Sequence, residues 1–227
     1  MDHDLVVLPD PGTMAAEAAS RVAAAVCAAA AGGRRFDFAV SGGHTPWAMF
    51  ADLTGRDVPW EAVRIFQVDE RVAPDDDPDR NLAHLRSSLG DAAPEILAMP
   101  VDEPDLDAAA SSYAQALPER FDLVHLGLGP DGHTASLVPG DPVLQVEDRL
   151  VAVTRPYQGR QRMTLTYPGL ARAERLLWLV AGADKADALA RLLRGDRSIP
   201  AGQVRAEHSV ILADAAAAPG QGAASRQ

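Results

Sequence analysis

Apolar runs of strand type alternate with segments of helical spacing along almost the whole chain, and this alternation restricts the possible folds more than any other feature. Leu5–Leu8 reads as a strand, and a helix follows from about Met14 to Ala31, with Thr13 as its N-cap and Gly32-Gly33 as its stop. "FDFAVS" (36–41) reads as the second strand. "GGHTP" then turns the chain into a helix with Thr45 as N-cap and Pro46 at the first position. "VRIFQVD" (63–69) is a third strand, with helices to follow near Arg80–Leu89 and Leu106–Leu117. "FDLVHLGL" (121–128), "RLVAVT" (149–154), "RMTLTY" (162–167) and "RLLWLVAG" (175–182) continue the strands. Ala183–Arg194 reads as a helix, and "HSVILAD" (208–214) closes the series. Apolar strands joined by helices are the pattern of an α/β protein, with a mainly parallel twisted sheet and helices on both faces. No repeat or linker divides the 227 residues, so one domain is expected over 1–214, with a disordered tail over 215–227.

Composition removes several classes of function. The Ala-dominated segment 14–31 carries Glu17 and Arg21, which speaks against a membrane span. The Met-Asp-His-Asp start has no basic region, which speaks against a signal peptide. The single cysteine, Cys27, excludes an internal disulfide framework and fits a reducing cytoplasm. A net charge of −11 without a basic stripe argues against a nucleic-acid partner. An anionic substrate would need a locally basic site inside that repulsive field. The placement of Lys185, the only lysine, is then a weak hint.

In open α/β sheets ligands collect at the carboxyl ends of strands. Three polar loops stand at such ends: "SGGHTP" after the second strand, "DER" after the third and "GPDGH" after the fourth. The last overlaps Gly127-Leu-Gly129-Pro-Asp-Gly132, which fits the G-x-G-x-x-G of a dinucleotide turn. That reading needs a long helix at once and an acidic residue closing the next strand. Pro139-Gly140 stops any helix early, Glu147 and Asp148 precede the next strand, and Asp131 would set a carboxylate beside the phosphates.

Ser41, Gly42, Gly43, His44 and Thr45 offer backbone N–H groups and a helix start, a ready anion site. Taken alone, the loop also reads as a tight turn with no ligand, and it lacks the lysine of a nucleotide P-loop. Asp69, Glu70 and Arg71 taken alone read as a solvated charge cluster, and "PDDDPD" (74–79) as a solvated turn without the glycine and glutamate of a calcium loop. His133, in a turn too tight for a core residue, is a natural general base. The other histidines show no metal-ligand spacing, and no G-x-S-x-G elbow occurs. The chemistry therefore reads as metal-free, with water as nucleophile.

Together "SGGHTP", "VDERVAPDDDPDRN", "LGLGPDGHTASLVPG", "RMTLTYPGL" and "LVAGADKADAL" resemble the 6-phosphogluconolactonases, within the wider family that includes the glucosamine-6-phosphate deaminases. The resemblance spans roughly residues 5 to 213. It implies a Rossmann-like sheet of the deaminase/lactonase type and hydrolysis of 6-phospho-D-glucono-1,5-lactone in the oxidative pentose phosphate pathway, without a cofactor. The partner would be a small phosphosugar lactone, and the chain a monomer or small homo-oligomer. By resemblance His133 activates water, Asp131 orients the site and Arg71 steadies substrate or oxyanion, with Asp69 counted among the catalytic group. Arg162 and Lys185 match cations associated with the sugar phosphate. Deaminases read Asp-Glu-Tyr in place of "DER" and carry a glutamate where this chain has Val138, which argues against amine chemistry. A non-catalytic sugar-phosphate sensor is the other alternative. His44, Val138 and the stretch "TRPYQGRQR" (154–162) depart from the family pattern.

Overall fold

Along the central strands, successive side chains serve opposite sides of one sheet, and both sides are buried. The computed structural model describes residues 2–218. Its elements are β1 (Asp4–Leu8), α1 (Pro11–Ala31), β2 (Phe36–Val40), α2 (His44–Thr54), β3 (Val63–Gln67), β4 (Asp69–Arg71), α3 (Asn81–Leu89) and β5 (Glu95–Leu97). There follow α4 (Leu106–Ala116), β6 (Leu123–Gly127), β7 (Val151–Val153), β8 (Arg162–Leu165), α5 (Tyr167–Leu170), β9 (Arg175–Val180), α6 (Ala186–Leu193) and β10 (His208–Asp214).

Seven strands form a wholly parallel sheet in the order β1-β10-β9-β6-β2-β3-β5. Phe36, Phe38 and Val40 of β2 pack with Met14, Val22, Phe50 and Leu85 from α1, α2 and α3. Ala39 between them faces the opposite layer, where Leu176, Trp178 and Val180 of β9 meet residues of α4, α5 and α6. This period of two is what a strand buried on both faces requires. The helix α1 has the length and apolar composition to cross a membrane. Here Met14, Ala18, Val22 and Val26 lie against the sheet.

Functionally the decisive feature is where strand order reverses. From β2 the chain moves outward to β3 and β5, whereas from its neighbour β6 it moves the other way to β9 and β10. The loops leaving β2 and β6 therefore diverge and leave a crevice between them, the place where such sheets bind ligands.

Several local expectations are corrected. The runs 149–154 and 162–167 do not extend the parallel sheet; β7 and β8 join β4 in a separate antiparallel sheet, order β4-β8-β7. The span between Val153 and Arg162 is too short for a parallel crossover, which takes a dozen residues or more. The expected strand 63–69 is divided at Val68, which donates to Val40 O (2.9 Å) and accepts from Leu165 N (2.7 Å), passing the chain from one sheet to the other. The edge strand β5 was not expected.

Asp10, not Thr13, caps α1, accepting the Thr13 N–H at 2.8 Å ahead of Pro11. The N-cap of α2 is Gly43, at φ 126°, so the helix starts at His44 and Thr45 lies inside its first turn. Only glycine accepts that backbone readily. Ordered packing also runs past 214: Ala217 is fully buried and donates to Asp214 Oδ1 at 2.7 Å. Residues 219–227 of the expected tail lie outside the described residues.

Candidate active site

The crevice between the β2 and β6 loops is a cleft of about 750 Å³. Ser41, Gly42, Gly43, His44, Thr45, Asp69, Arg71, His133, Arg162 and Lys185 all line it, as do Asn81, Tyr157 and Gln158. Of the residues expected in the site, only Asp131 lies outside the lining, and it touches the cleft through His133.

After β6 the chain makes a tight turn with no helix behind it. Gly129 N donates to His133 O (2.8 Å) and Gly132 N to Gly129 O (3.0 Å). Asp131 Oδ1 meets both the backbone N (3.1 Å) and the Nδ1 (2.5 Å) of His133. Burial alone would raise the Asp131 carboxyl, but the backbone hydrogen bond and ring of His133 outweigh it and hold it below the ordinary carboxylate value. An ionised Asp131 accepts a hydrogen bond from Nδ1–H, so the tautomer that suits it leaves the Nε2 lone pair free. Gly129 is required for space: a Cβ there would stand 2.1 Å from His133 Nδ1.

The loop after β2 is held from beneath by His125, a fully buried β6 residue whose Nδ1 accepts the Ser41 N–H at 3.3 Å. Burial pushes this imidazole down to about 3, so it is a neutral acceptor. The remaining N–H groups of the loop and of the first turn of α2 have no helical partner by construction, and they border the cleft. Gly42 is fitted against Asn81, whose Oδ1 would lie 2.0 Å from a Cβ.

Beyond Asn81, the "DER" segment is not a solvated cluster. Asp69 is 5% and Glu70 0% exposed. Glu70 accepts from Gln67 Nε2, Arg71 N, Asn81 N and Leu82 N, each at 2.7–2.8 Å, and so ties β4 to the start of α3. Asp69 Oδ2 accepts from Ser136 Oγ at 2.6 Å. Burial raises the Asp69 carboxyl, against the opposing pull of that hydrogen bond and of Arg162.

The β4–β8 register sets Arg71 directly opposite Arg162. Like charges at opposed positions repel, so the pair is suited to an anion between them. Arg71 Nη1 is committed to Asp79 O (2.5 Å) and Asn81 Oδ1 (3.0 Å). Burial lowers the Arg162 guanidinium from its ordinary value, with Asp69 acting against it. Lys185, beyond the end of β9, pairs with Asp184 at 3.0 Å and also lines the cleft.

Sequence reasoning did not single out Asn81, His125, Ser136 or Tyr157. Asn81 ends the "VDERVAPDDDPDRN" motif and Ser136 lies in "HTAS", so both lie within motifs of the resemblance that give them no part of their own. Among the described residues no group of three or more His, Cys, Asp or Glu side chains is placed to hold a metal ion.

Comparison with known proteins places the chain in a family. Residues 9–213 match the family model of glucosamine-6-phosphate isomerases and 6-phosphogluconolactonase. The chain is 34% identical to a 6-phosphogluconolactonase of Nostoc sp., covering 85% of each protein. It is 32% identical to one of Mycobacterium tuberculosis, over 96% of this chain and 98% of that protein. The crystal structure of 6-phosphogluconolactonase from Thermotoga maritima superposes with a TM-score of 0.85 at 26% identity, covering 94% of this chain and 100% of that one. The chain therefore belongs to the family of glucosamine-6-phosphate isomerases and 6-phosphogluconolactonases.

Proposed function

We propose that this chain hydrolyses 6-phospho-D-glucono-1,5-lactone to 6-phospho-D-gluconate, the second step of the oxidative pentose phosphate pathway, in the cytoplasm and without a cofactor. The observation that carries the reading is the Asp131–His133 pair set at a cleft that Arg71, Arg162 and Lys185 also line. His133 Nε2 takes a proton from water as the water oxygen attacks the lactone carbonyl carbon. The ring C–O bond then breaks, and His133 returns the proton to the departing ring oxygen. Asp131 fixes the tautomer and favours the imidazolium between those steps. Arg71 and loop N–H groups steady the oxyanion, with Asp69 setting the charge around the arginine pair. The Gly42–Thr45 loop, His44 included, together with Ser41, Arg162 and Lys185 holds the phosphate. Binding there is converted into orientation at the reacting carbon.

Every residue named for the site comes from one chain, so a monomer or a small homo-oligomer can carry it, and neither nucleic acid nor membrane is a partner in this reading. The test is a lactonase assay coupled to 6-phosphogluconate dehydrogenase, corrected for spontaneous hydrolysis, beside an ammonia assay on glucosamine 6-phosphate. Lactone turnover well above background without ammonia release is expected. Ammonia release, or lactone decay at the spontaneous rate, would sink the proposal.

A further inference from the structure

The stretch 154–162 forms a pinned hairpin that carries Tyr157 into the cleft. Tyr157 and Arg160 exchange both backbone hydrogen bonds (2.9 and 3.3 Å) around Gln158 at φ 52° and Gly159 at φ 82°. Positive φ at both central residues is what a type I′ turn needs. Arg160 then anchors the tip, reaching Asp77 at 2.7 Å and Asp79 at 3.6 Å. The carbonyl of that same Asp79 accepts from Arg71.

From this mount the Tyr157 ring meets two members of the site. The Arg162 guanidinium carbon lies over the ring, 5.3 Å from its centroid, and the His133 imidazole meets the ring edge-wise at 5.8 Å and 64°. Arg162 is otherwise weakly held. Its buried Nε has no hydrogen-bond partner, and Nη2 reaches Gln158 Oε1 only at 3.4 Å. An aromatic face attracts a guanidinium without using any of its N–H donors. Arg71, by contrast, has its Nη1 committed to two protein acceptors.

We infer that Tyr157 is a positioning residue of this cleft: its face orients Arg162 without drawing on the guanidinium N–H donors, so that the terminal ones are left for the anionic end of the substrate, and its ring lines the cleft beside His133. The identity of that substrate rests on the lactonase reading; the holding of Arg162 does not.

Tyr157→Leu keeps apolar bulk and removes the π face, whereas Tyr157→Phe keeps the face and removes the hydroxyl. In variants with unchanged melting temperature, Leu should raise KM for the lactone and Kd for 6-phosphogluconate by about 3- to 30-fold, the range of a cation–π contact. It should change kcat much less, and Phe should restore the affinity. In an Arg162→Gln background the Leu substitution should cost little, because its partner is already gone. Equal losses in Leu and Phe, or losses that simply add to those of Arg162→Gln, would overturn the inference. Should the wild type hydrolyse no lactone, the lactonase reading fails, and titration of the same variants with inorganic phosphate still decides what Tyr157 does.

Discussion

The space beside Gly129 belongs to the imidazole of His133, and two substitutions separate the parts of that arrangement. His133→Ala deletes the proposed proton acceptor and should lower kcat by about 10²- to 10⁴-fold, the usual worth of a general base. Gly129→Ala leaves the histidine in the chain but places a Cβ where its ring stands. It should also lower kcat, with little change in 6-phosphogluconate affinity, since the residues proposed to hold the phosphate are untouched. Near-normal turnover in folded His133→Ala removes that residue from the mechanism. His125 makes a different prediction. Its folded-state value near 3 lies below the ordinary 6.5, so between those limits the unfolded chain binds the proton and the folded chain does not. The contribution of His125 to stability is therefore complete above pH 6.5 and is lost as pH falls, by up to ~1.4 kcal/mol per pH unit. Asp69, raised by burial, acts with the opposite sign. The informative quantity is thus the difference between wild type and His125→Asn in denaturant melts from pH 7 to 4, in which Asp69 cancels. That difference should shrink or reverse with acid, and a flat one would remove His125 from the account.

Short elements, not long ones, shape the arginine-bearing side of the cleft, and β4 with the start of α3 is the clearest case. Glu70 has no exposure and collects four hydrogen bonds, two of them from the first N–H groups of α3. Arg80, also buried, stands 3.7 Å away. Glu70→Ala would orphan those donors in a dry site and should destabilise the fold by roughly 2–5 kcal/mol, given the cost of unpaired buried groups. Through Asn81 it should loosen Arg71 as well. A variant that melts like the wild type would show that water satisfies these donors. None of this was legible in "VDER", because a charged tripeptide looks the same whether it is solvated or folded inward. The long parallel strands were legible, since apolar runs of five or more residues flanked by helical spacing leave little choice. The strands β7 and β8 were recognised as strands but assigned to the wrong sheet, as apolar content does not encode the partner; the short connection between them was the available signal. The half-exposed edge strand β5 has too little pattern to be read at all. Of the site, all the expected residues meet at the cleft or touch it through His133, because strand-end loops and a family resemblance both point there. The supports, His125, Ser136 and Asn81, belong to no chemical pattern and emerge only from packing.

At the scale of the whole molecule, an acidic protein of net charge −11 gathers its cleft cations where strand order reverses, between β2 and β6. The same switch point in other sheets holds dinucleotides, and Gly127–Gly132 carries the matching spacing of glycines. The physical difference lies in the chain just beyond the turn. A dinucleotide cradle needs a helix whose N-terminus faces the pyrophosphate, whereas here residues 133–141 contain only the bridge between Thr134 and Leu137, and Asp131 adds a carboxylate. A ligand bound only by the native state stabilises it by RT ln(1 + [L]/Kd), about 2.7 kcal/mol at a hundredfold excess over Kd. For a chain of this size that corresponds to a rise of several degrees in Tm. Saturating 6-phosphogluconate should produce such a rise, reduced by added salt because charge attraction contributes to its binding. NAD or NADP at millimolar concentration should leave Tm unmoved. Asp131→Asn sharpens the comparison, since it removes the charge that would repel a pyrophosphate: activity should fall with no gain of dinucleotide binding. A shift with NADP in the wild type, or one that appears in Asp131→Asn, would mean that the turn after β6 accepts a pyrophosphate without a helix behind it, and the catalytic reading of that loop would have to be abandoned.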